Sequence, residues 1–250
     1  MEPIKPVPDW SISKQPLYLQ LATIFRRRIE SGLWPRGEQT PTLEMLVREF
    51  AVGRVTVRSA LAELEAEGLL VRSRGKGTFI QDLPANAPQK FVVGTTWDEL
   101  VARGNLNELT VSLNTAKEEA VPLPAWCGMP DGQAPAYYLL ERVYSRQGIR
   151  VCYSRVFLEA SLYLRLQADI RQQAVITVLG NDRQTQIRSG KQSITIISAG
   201  DDTAAHLQIP VGSPLAEITR SIYDTDARLI YWACVHYDSR YIRLDFDLLK

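Results

Sequence analysis

Residues 42–68 read TLEMLVREF-AVG-RVTVRSALAELEAEG, and this stretch decides the fold of the amino-terminal third. Thr42 is placed to cap a helix running to about Phe50, whose buried stripe is Leu43, Leu46, Val47 and Phe50. Ala51-Val52-Gly53 is a tight connection, and a second helix runs from about Arg54 to Glu67, stopped by Gly68. Two short helices joined by so short a turn make a helix-turn-helix. Upstream, Leu17, Leu21, Ile24, Phe25 and Ile29 recur at helical spacing, with Gly32 as a stop. Arg26, Arg27 and Arg28 near the end of that helix read as a solvated face. Downstream the period changes: residues 69–73 and 78–81 read as strands joined by Arg74-Gly-Lys-Gly77, a glycine-bearing hairpin tip with two cations. A helix, a helix-turn-helix and a basic hairpin together lay out a winged helix.

In that layout the helix after the turn is the one that enters the major groove with its first turns. Arg54, Val55, Thr56 and Arg58 occupy those turns. Arginine presents paired donors that match guanine, and threonine bonds a base or phosphate or touches a thymine methyl. Thr42, at a helix start, suits one phosphate through its hydroxyl and the free backbone N–H groups. Arg74, Gly75, Lys76 and Gly77 suit phosphates or the minor groove, where the glycines permit close approach. A solvated helix with incidental arginines is the competing explanation, and the ordered combination outweighs it.

The bulk numbers exclude more than they assign. At 250 residues, 45% hydrophobic and 23% charged, the chain can bury two modest cores. It has no apolar run of membrane-spanning length and no signal-peptide pattern at its start, so a cytoplasmic protein is expected. Cys127, Cys152 and Cys234 are odd in number and widely spaced; with His206 and His236 as the two histidines, neither a metal site nor a disulfide framework nor a cofactor is expected. The thiols read as small buried apolar groups. The net charge of +1 averages over the whole chain and conceals any local basic face. The polar, proline-bearing stretch 82–90 is read as a linker between a DNA-binding domain over residues 1–81 and a second domain over 91–250. That second domain reads as mixed α+β. Strands are predicted over 136–144, 151–157, 192–197, 215–223 and 229–237, and helices over 97–102, 162–168 and 201–207.

Residues 16–81 closely resemble the DNA-binding domain of GntR-type regulators. The match runs through Pro16-Leu-Tyr18, Gly32, Pro41-Thr42, Arg54, Thr56-Val-Arg58, Leu64-Glu-Ala-Glu-Gly-Leu69 and Arg74-Gly-Lys-Gly-Thr-Phe79. Leu43 stands where family members usually carry glutamate, and Val55 where they carry serine or threonine. Residues 91–250 resemble the UTRA ligand-binding domain of the HutC branch, an antiparallel-sheet α+β fold shared with chorismate lyase. That resemblance rests on residues 95–104, Glu141-Arg-Val-Tyr144, Ser154-Arg-Val-Phe157, residues 204–215 and Tyr237-Asp-Ser-Arg-Tyr241.

The resemblance implies a repressor released by a small effector, acting as a homodimer on an inverted-repeat operator in double-stranded DNA. Members that sense sugar phosphates use an arginine pair, a serine–tyrosine pair and two glutamates. Here Arg142 matches the first arginine, Tyr144 stands at the second, Ala174 and Ile176 replace the serine and tyrosine, and Ser154 and Tyr231 fall near the glutamates. A sugar phosphate is therefore disfavoured. Arg142 and Arg155 with Tyr144, Tyr153, Tyr231 and Trp232 instead suit a small carboxylate with an apolar or aromatic body, with Thr95 offering a hydroxyl at a helix start. Two rivals stay open: an enzyme of chorismate-lyase-like fold, against which stands the lack of a nucleophile–base pair, and a DNA-binding protein with no ligand, its second domain serving only to dimerise.

Overall fold

The computed structural model of the chain describes residues 9–73, 75–81, 90–103, 109–127 and 136–246. Arg74 and positions 82–89 of the expected linker lie outside these residues. The chain divides into two compact units, Met1–Ala87 and Pro88–Lys250.

The first unit contains three helices, α1 (Leu17–Glu30), α2 (Leu43–Phe50) and α3 (Arg54–Ala66), followed by an antiparallel hairpin of β1 (Leu70–Ser73) and β2 (Gly77–Ile80). Leu21, Phe25 and Ile29 recur every fourth residue on α1 and are buried against Leu46 and Phe50 of α2 and Val57 and Leu64 of α3. The rings of Trp34 and Phe50 lie 5.0 and 5.6 Å from that of Phe25. Ala51 takes up a left-handed conformation at φ 51°, which turns the chain between α2 and α3 within three residues. The arginine run at the end of α1 is not a uniformly solvated face. Arg26 pairs with Glu67, while Arg28 pairs with Glu49 and lies 4.7 Å from the Phe50 ring centre. Arg27 alone of the three stays largely in water, at 79% side-chain exposure. Two of these cations therefore tie α1 to its neighbours.

The second unit is built on a six-stranded antiparallel sheet of order β4-β5-β6-β9-β8-β7. Its strands are β4 (Thr110–Ala116), β5 (Tyr137–Arg146), β6 (Ile149–Glu159), β7 (Ile187–Ser198), β8 (Pro214–Asp224) and β9 (Leu229–Asp238). The hairpin joining β5 to β6 turns on Gln147 and Gly148, both at positive φ, the backbone twist that suits a two-residue hairpin. A short parallel pair, β3 (Phe91–Val93) with β10 (Ile242–Leu244), stands apart from the main sheet.

The two faces of the sheet carry separate cores. One packs with α4 (Trp97–Arg103), α5 (Ala160–Ile170) and α6 (Val175–Asn181); its buried residues include Leu140, Val156, Ile170, Val178 and Ile218. The other packs with α7 (Asp201–Leu207) through Val143, Tyr153, Leu207 and Leu215, and holds an aromatic group of Tyr137, Phe157 and Trp232. The five strands and three helices expected from periodicity are present, with ends displaced by a few residues. The strands β3, β4 and β10 and the helix α6 are additional. The α6 sequence, VITVLGN, is β-branched enough to suggest a strand. It is helical because α4 packs against it: a β-carbon on Gly180 would stand 2.2 Å from Val101, an approach that only glycine permits.

Candidate functional site

Two features of the structure carry chemistry: an exposed basic face on the first unit and a cavity in the second.

In the first unit α3 buries Val57, Ala60, Leu61 and Leu64 and leaves Arg54, Val55 and Arg58 exposed, with Thr56 half-buried. The helical period produces this division, since 57, 60, 61 and 64 share one side while 54, 55 and 58 fall on the other. Val55 is 77% exposed, an apolar side chain beside the exposed Arg54 and Arg58. Thr42 caps α2, its hydroxyl accepting from the Met45 N–H at 3.3 Å. The cap oxygen is thus occupied within the helix, and what remains exposed there is the terminus itself.

In the hairpin, Gly75 (φ 75°), Lys76 and Gly77 (φ 113°) are all exposed. The Lys76 N–H closes the turn on the Ser73 carbonyl at 3.0 Å. Gln39, which sequence reasoning passed over, braces the tip. Its Nε2 donates to the Lys76 carbonyl at 3.0 Å and occupies the space a Gly77 side chain would need.

The cavity in the second unit has a volume of about 450 Å³, within the range of small-molecule sites. Arg142 on β5, Ser154 on β6, Tyr231 and Tyr237 on β9 and Arg220 on β8 line its floor, with Tyr144 beside Arg142 and the 171–176 segment forming one wall. Arg142 is 4% exposed. It donates through Nε to Asn114 Oδ1 at 2.9 Å, through one terminal nitrogen to the Gln173 carbonyl at 2.7 Å, and through the other to the Ile170 carbonyl. Arg220 is 6% exposed and donates through Nε to Gln192 Oε1 at 2.6 Å. Among the described residues neither forms a salt bridge with a carboxylate. Arg142 is thus held by an amide oxygen and two backbone carbonyls rather than by an ion pair.

The phenols facing these arginines stay protonated. Burial pushes Tyr231 up to about 12 against the pull of Arg220, and raises Tyr144 and Tyr237 in the same way. Burial likewise holds the Cys152 thiol, which lines the cavity, up at about 12. The cavity thus offers two buried positive charges with no carboxylate partner among the described residues, neutral O–H groups and apolar walls.

Of the effector residues expected from sequence, Arg142, Tyr144, Ser154 and Tyr231 come together here, and Arg220 joins them. Tyr153, Arg155 and Trp232 do not. Side chains alternate along a strand, so the neighbours of Ser154 and Tyr231 point to the opposite face of the sheet. There the Tyr153 hydroxyl donates to Glu141 Oε1 at 2.5 Å, Arg155 lies 5.0 Å from the Trp126 ring centre, and Trp232 packs against Trp126 and Phe157. Thr95 also lies outside the cavity lining, its hydroxyl committed to Glu99 and to the Asp245 carbonyl. Arg220 went unread because it sits alone between Thr219 and Ser221. Its signal was a cation at every-other-residue spacing from Ile218 and Ile222, an inward position of a strand.

Comparison with known proteins finds matches to both units. The family model described as bacterial regulatory proteins, gntR family, matches residues 17–80, and the UTRA domain model matches residues 128–243. The histidine utilization repressor of Pseudomonas putida is 29% identical over 224 residues, covering 86% of this chain and 88% of that protein. The Escherichia coli K12 protein named "Probable fructoselysine utilization operon transcriptional repressor" is 26% identical over 221 residues, covering 88% of this chain and 89% of its own length. The crystal structure of a possible transcriptional regulator, YydK, from Bacillus subtilis aligns over 94% of this chain and 100% of its own with a TM-score of 0.50 and 19% identity, a likeness of fold. The chain thus carries a GntR-family winged helix-turn-helix followed by a UTRA effector domain, the organisation of the HutC-type repressors to which it is similar.

Proposed function

We propose that the DNA affinity of this repressor is controlled by a small carboxylate with an apolar or aromatic body, bound between Arg142 and Arg220. One observation carries this reading: two guanidinium groups are buried in one cavity, and neither forms a salt bridge among the described residues. Buried charge is costly unless it is compensated. An incoming carboxylate would supply the compensation through charge-assisted hydrogen bonds, with Tyr144, Tyr231 and Ser154 as further donors. The two relatives are named for histidine and fructoselysine utilization, and both compounds carry a carboxylate, which supports the class. The assigned role of the cavity is binding rather than turnover.

On the DNA side, Arg54, Val55, Thr56 and Arg58 are assigned to base edges in the major groove, and the start of α2 at Thr42 to a phosphate. Gly75, Lys76 and Gly77, with Arg74, are assigned to phosphate or minor-groove contact. The reader is taken as residues 1–81, the linker as 82–90 and the effector and dimerisation domain as 91–250. Two copies would then read an inverted-repeat operator, and effector binding would lower its affinity.

A thermal-shift screen of small carboxylates tests the ligand class, followed by operator gel shifts with each hit. A specific ligand at a hundred times its Kd stabilises the protein by about 2.7 kcal/mol and releases the operator. A screen in which no carboxylate stabilises the protein would overturn the assignment.

A further inference from the structure

The sheet face opposite the anion cavity carries a second constellation. Cys234 and His236 stand two residues apart on β9 and point the same way, and Glu217 on β8 is the direct cross-strand partner of His236. Cys234 Sγ lies 3.6 Å from His236 Nε2 and 3.7 Å from Glu217 Oε2, and the Nε2–Oε2 separation is 3.0 Å. A tetrahedral ion with bonds of about 2.3 Å to sulfur and about 2.0–2.1 Å to nitrogen and oxygen holds such ligands roughly 3.5 Å apart for S–N and S–O and roughly 3.3 Å for N–O. All three observed separations fall within about 0.3 Å of those edges.

A histidine–glutamate ion pair accounts for the 3.0 Å contact and thiol hydrogen bonds for each sulfur distance taken singly; the three separations together match the edges of one tetrahedral site. Two neighbours point the same way as the distances. His236 Nδ1 lies 3.4 Å from Thr203 Oγ1 on α7, an outer contact that fixes the ring and leaves Nε2 facing the cluster. Arg155, the cross-strand partner of Cys234, has a buried Nε with no hydrogen-bond partner among the described residues. Such a donor suits a water or small anion held at a fourth coordination position. Cys234 and His236 are each 4% exposed, while the Glu217 side chain is 29% exposed and leaves a route to solvent.

We propose that Glu217, Cys234 and His236 form a three-ligand site for a four-coordinate divalent transition metal of the zinc class, its fourth position taken by water or a small anion facing Arg155. On binding, the Cys234 thiol gives its proton to solvent; thiolate and carboxylate then balance the charge of the dication, with no change of oxidation state. The ion would clamp β8 to β9, the strands that carry Arg220, Tyr231 and Tyr237 on their other face.

The test uses the full chain, stripped with a chelator and titrated with cobalt(II). One equivalent is expected to bind and to produce a thiolate-to-cobalt charge-transfer band with the visible absorption of a four-coordinate ion, and zinc should displace it. Cys234→Ser removes the band. Cys127→Ser keeps it, and Thr203→Val keeps the spectrum while weakening affinity about 10–100-fold. Absence of the band in the unaltered protein overturns the proposal, as does its loss in Cys127→Ser or its survival in Cys234→Ser. Because the first and second of these readings do not involve the Cys234 variant, a folding defect in that variant leaves the decision intact.

Discussion

Arg142 and Ser154 are direct partners across the β5–β6 ladder, so both face the anion cavity, while Tyr153, one residue before Ser154, faces the opposite side of the sheet. The residues that answer to an effector should therefore be separable from their sequence neighbours by face.

Arg142→Ala and Arg220→Ala should each abolish the effector-induced release of operator DNA, because each removes one of the cavity's two buried positive charges. Truncating one partner of a buried charged hydrogen bond costs about 2–5 kcal/mol of binding, which is at least a thirtyfold rise in Kd. Tyr153→Phe should leave the response unchanged. Calorimetric titration with a carboxylate from the screen checks all three, and equal loss in Tyr153→Phe would refute the assignment of faces.

Arg54→Ala and Arg58→Ala should each weaken operator binding by about 1–3 kcal/mol per lost base contact, with a larger effect on the operator than on random duplex. Lys76→Ala should instead weaken both kinds of duplex alike and flatten the salt dependence. Gel shifts at two salt concentrations separate these patterns. If both arginine variants bound the operator normally, α3 would not be the reading helix.

Gly77→Ala should harm the hairpin more than its size suggests. Its φ of 113° suits glycine, and the new methyl would displace the Gln39 amide from the Lys76 carbonyl. A backbone strain of about 1–3 kcal/mol confined to the tip is expected. Operator affinity should fall while secondary structure by circular dichroism stays unchanged; undiminished affinity would show that the tip does not need this conformation.

Asp182 supplies a pH-dependent contribution to stability. A hydrogen bond from Arg165, at 2.7 Å, chiefly holds its carboxyl well below the usual range; Thr185 and the Gln184 N–H add to this, and desolvation opposes it. A depressed folded-state value means the contribution is complete above the unfolded value of about 3.9 and is lost as the pH falls further. With Arg165 35% exposed, solvent screening limits the effect, and Asp182→Asn should cost about 1 kcal/mol at pH 7. Urea unfolding at pH 7 and in acid should show the gap between the two proteins closing at low pH.

The first unit was legible in the sequence almost residue by residue. Its signals are local: a capped helix, a three-residue turn, a second helix and a glycine hairpin, each specified within about a dozen residues of chain. The helical period alone separates exposed Arg54, Val55 and Arg58 from buried Val57, Ala60 and Leu64. What it left out were ties between distant positions: Gln39 to Lys76, 37 positions away, and the Arg26–Glu67 and Arg28–Glu49 pairs.

In the second unit the sequence determined five of the six strands of the main sheet, and the tertiary structure decided the site. Which of Ser154 and Arg155 meets Arg142 depends on register, because a shift of one residue exchanges the faces of a strand. Arg220 joins Arg142 because the β5-β6-β9-β8 order brings separated segments onto one floor, and Glu217 meets His236 through the same pairing. Local spacing reports what a segment becomes. Pairing between distant segments settles what its side chains face, and that depends on the energy of the assembled sheet.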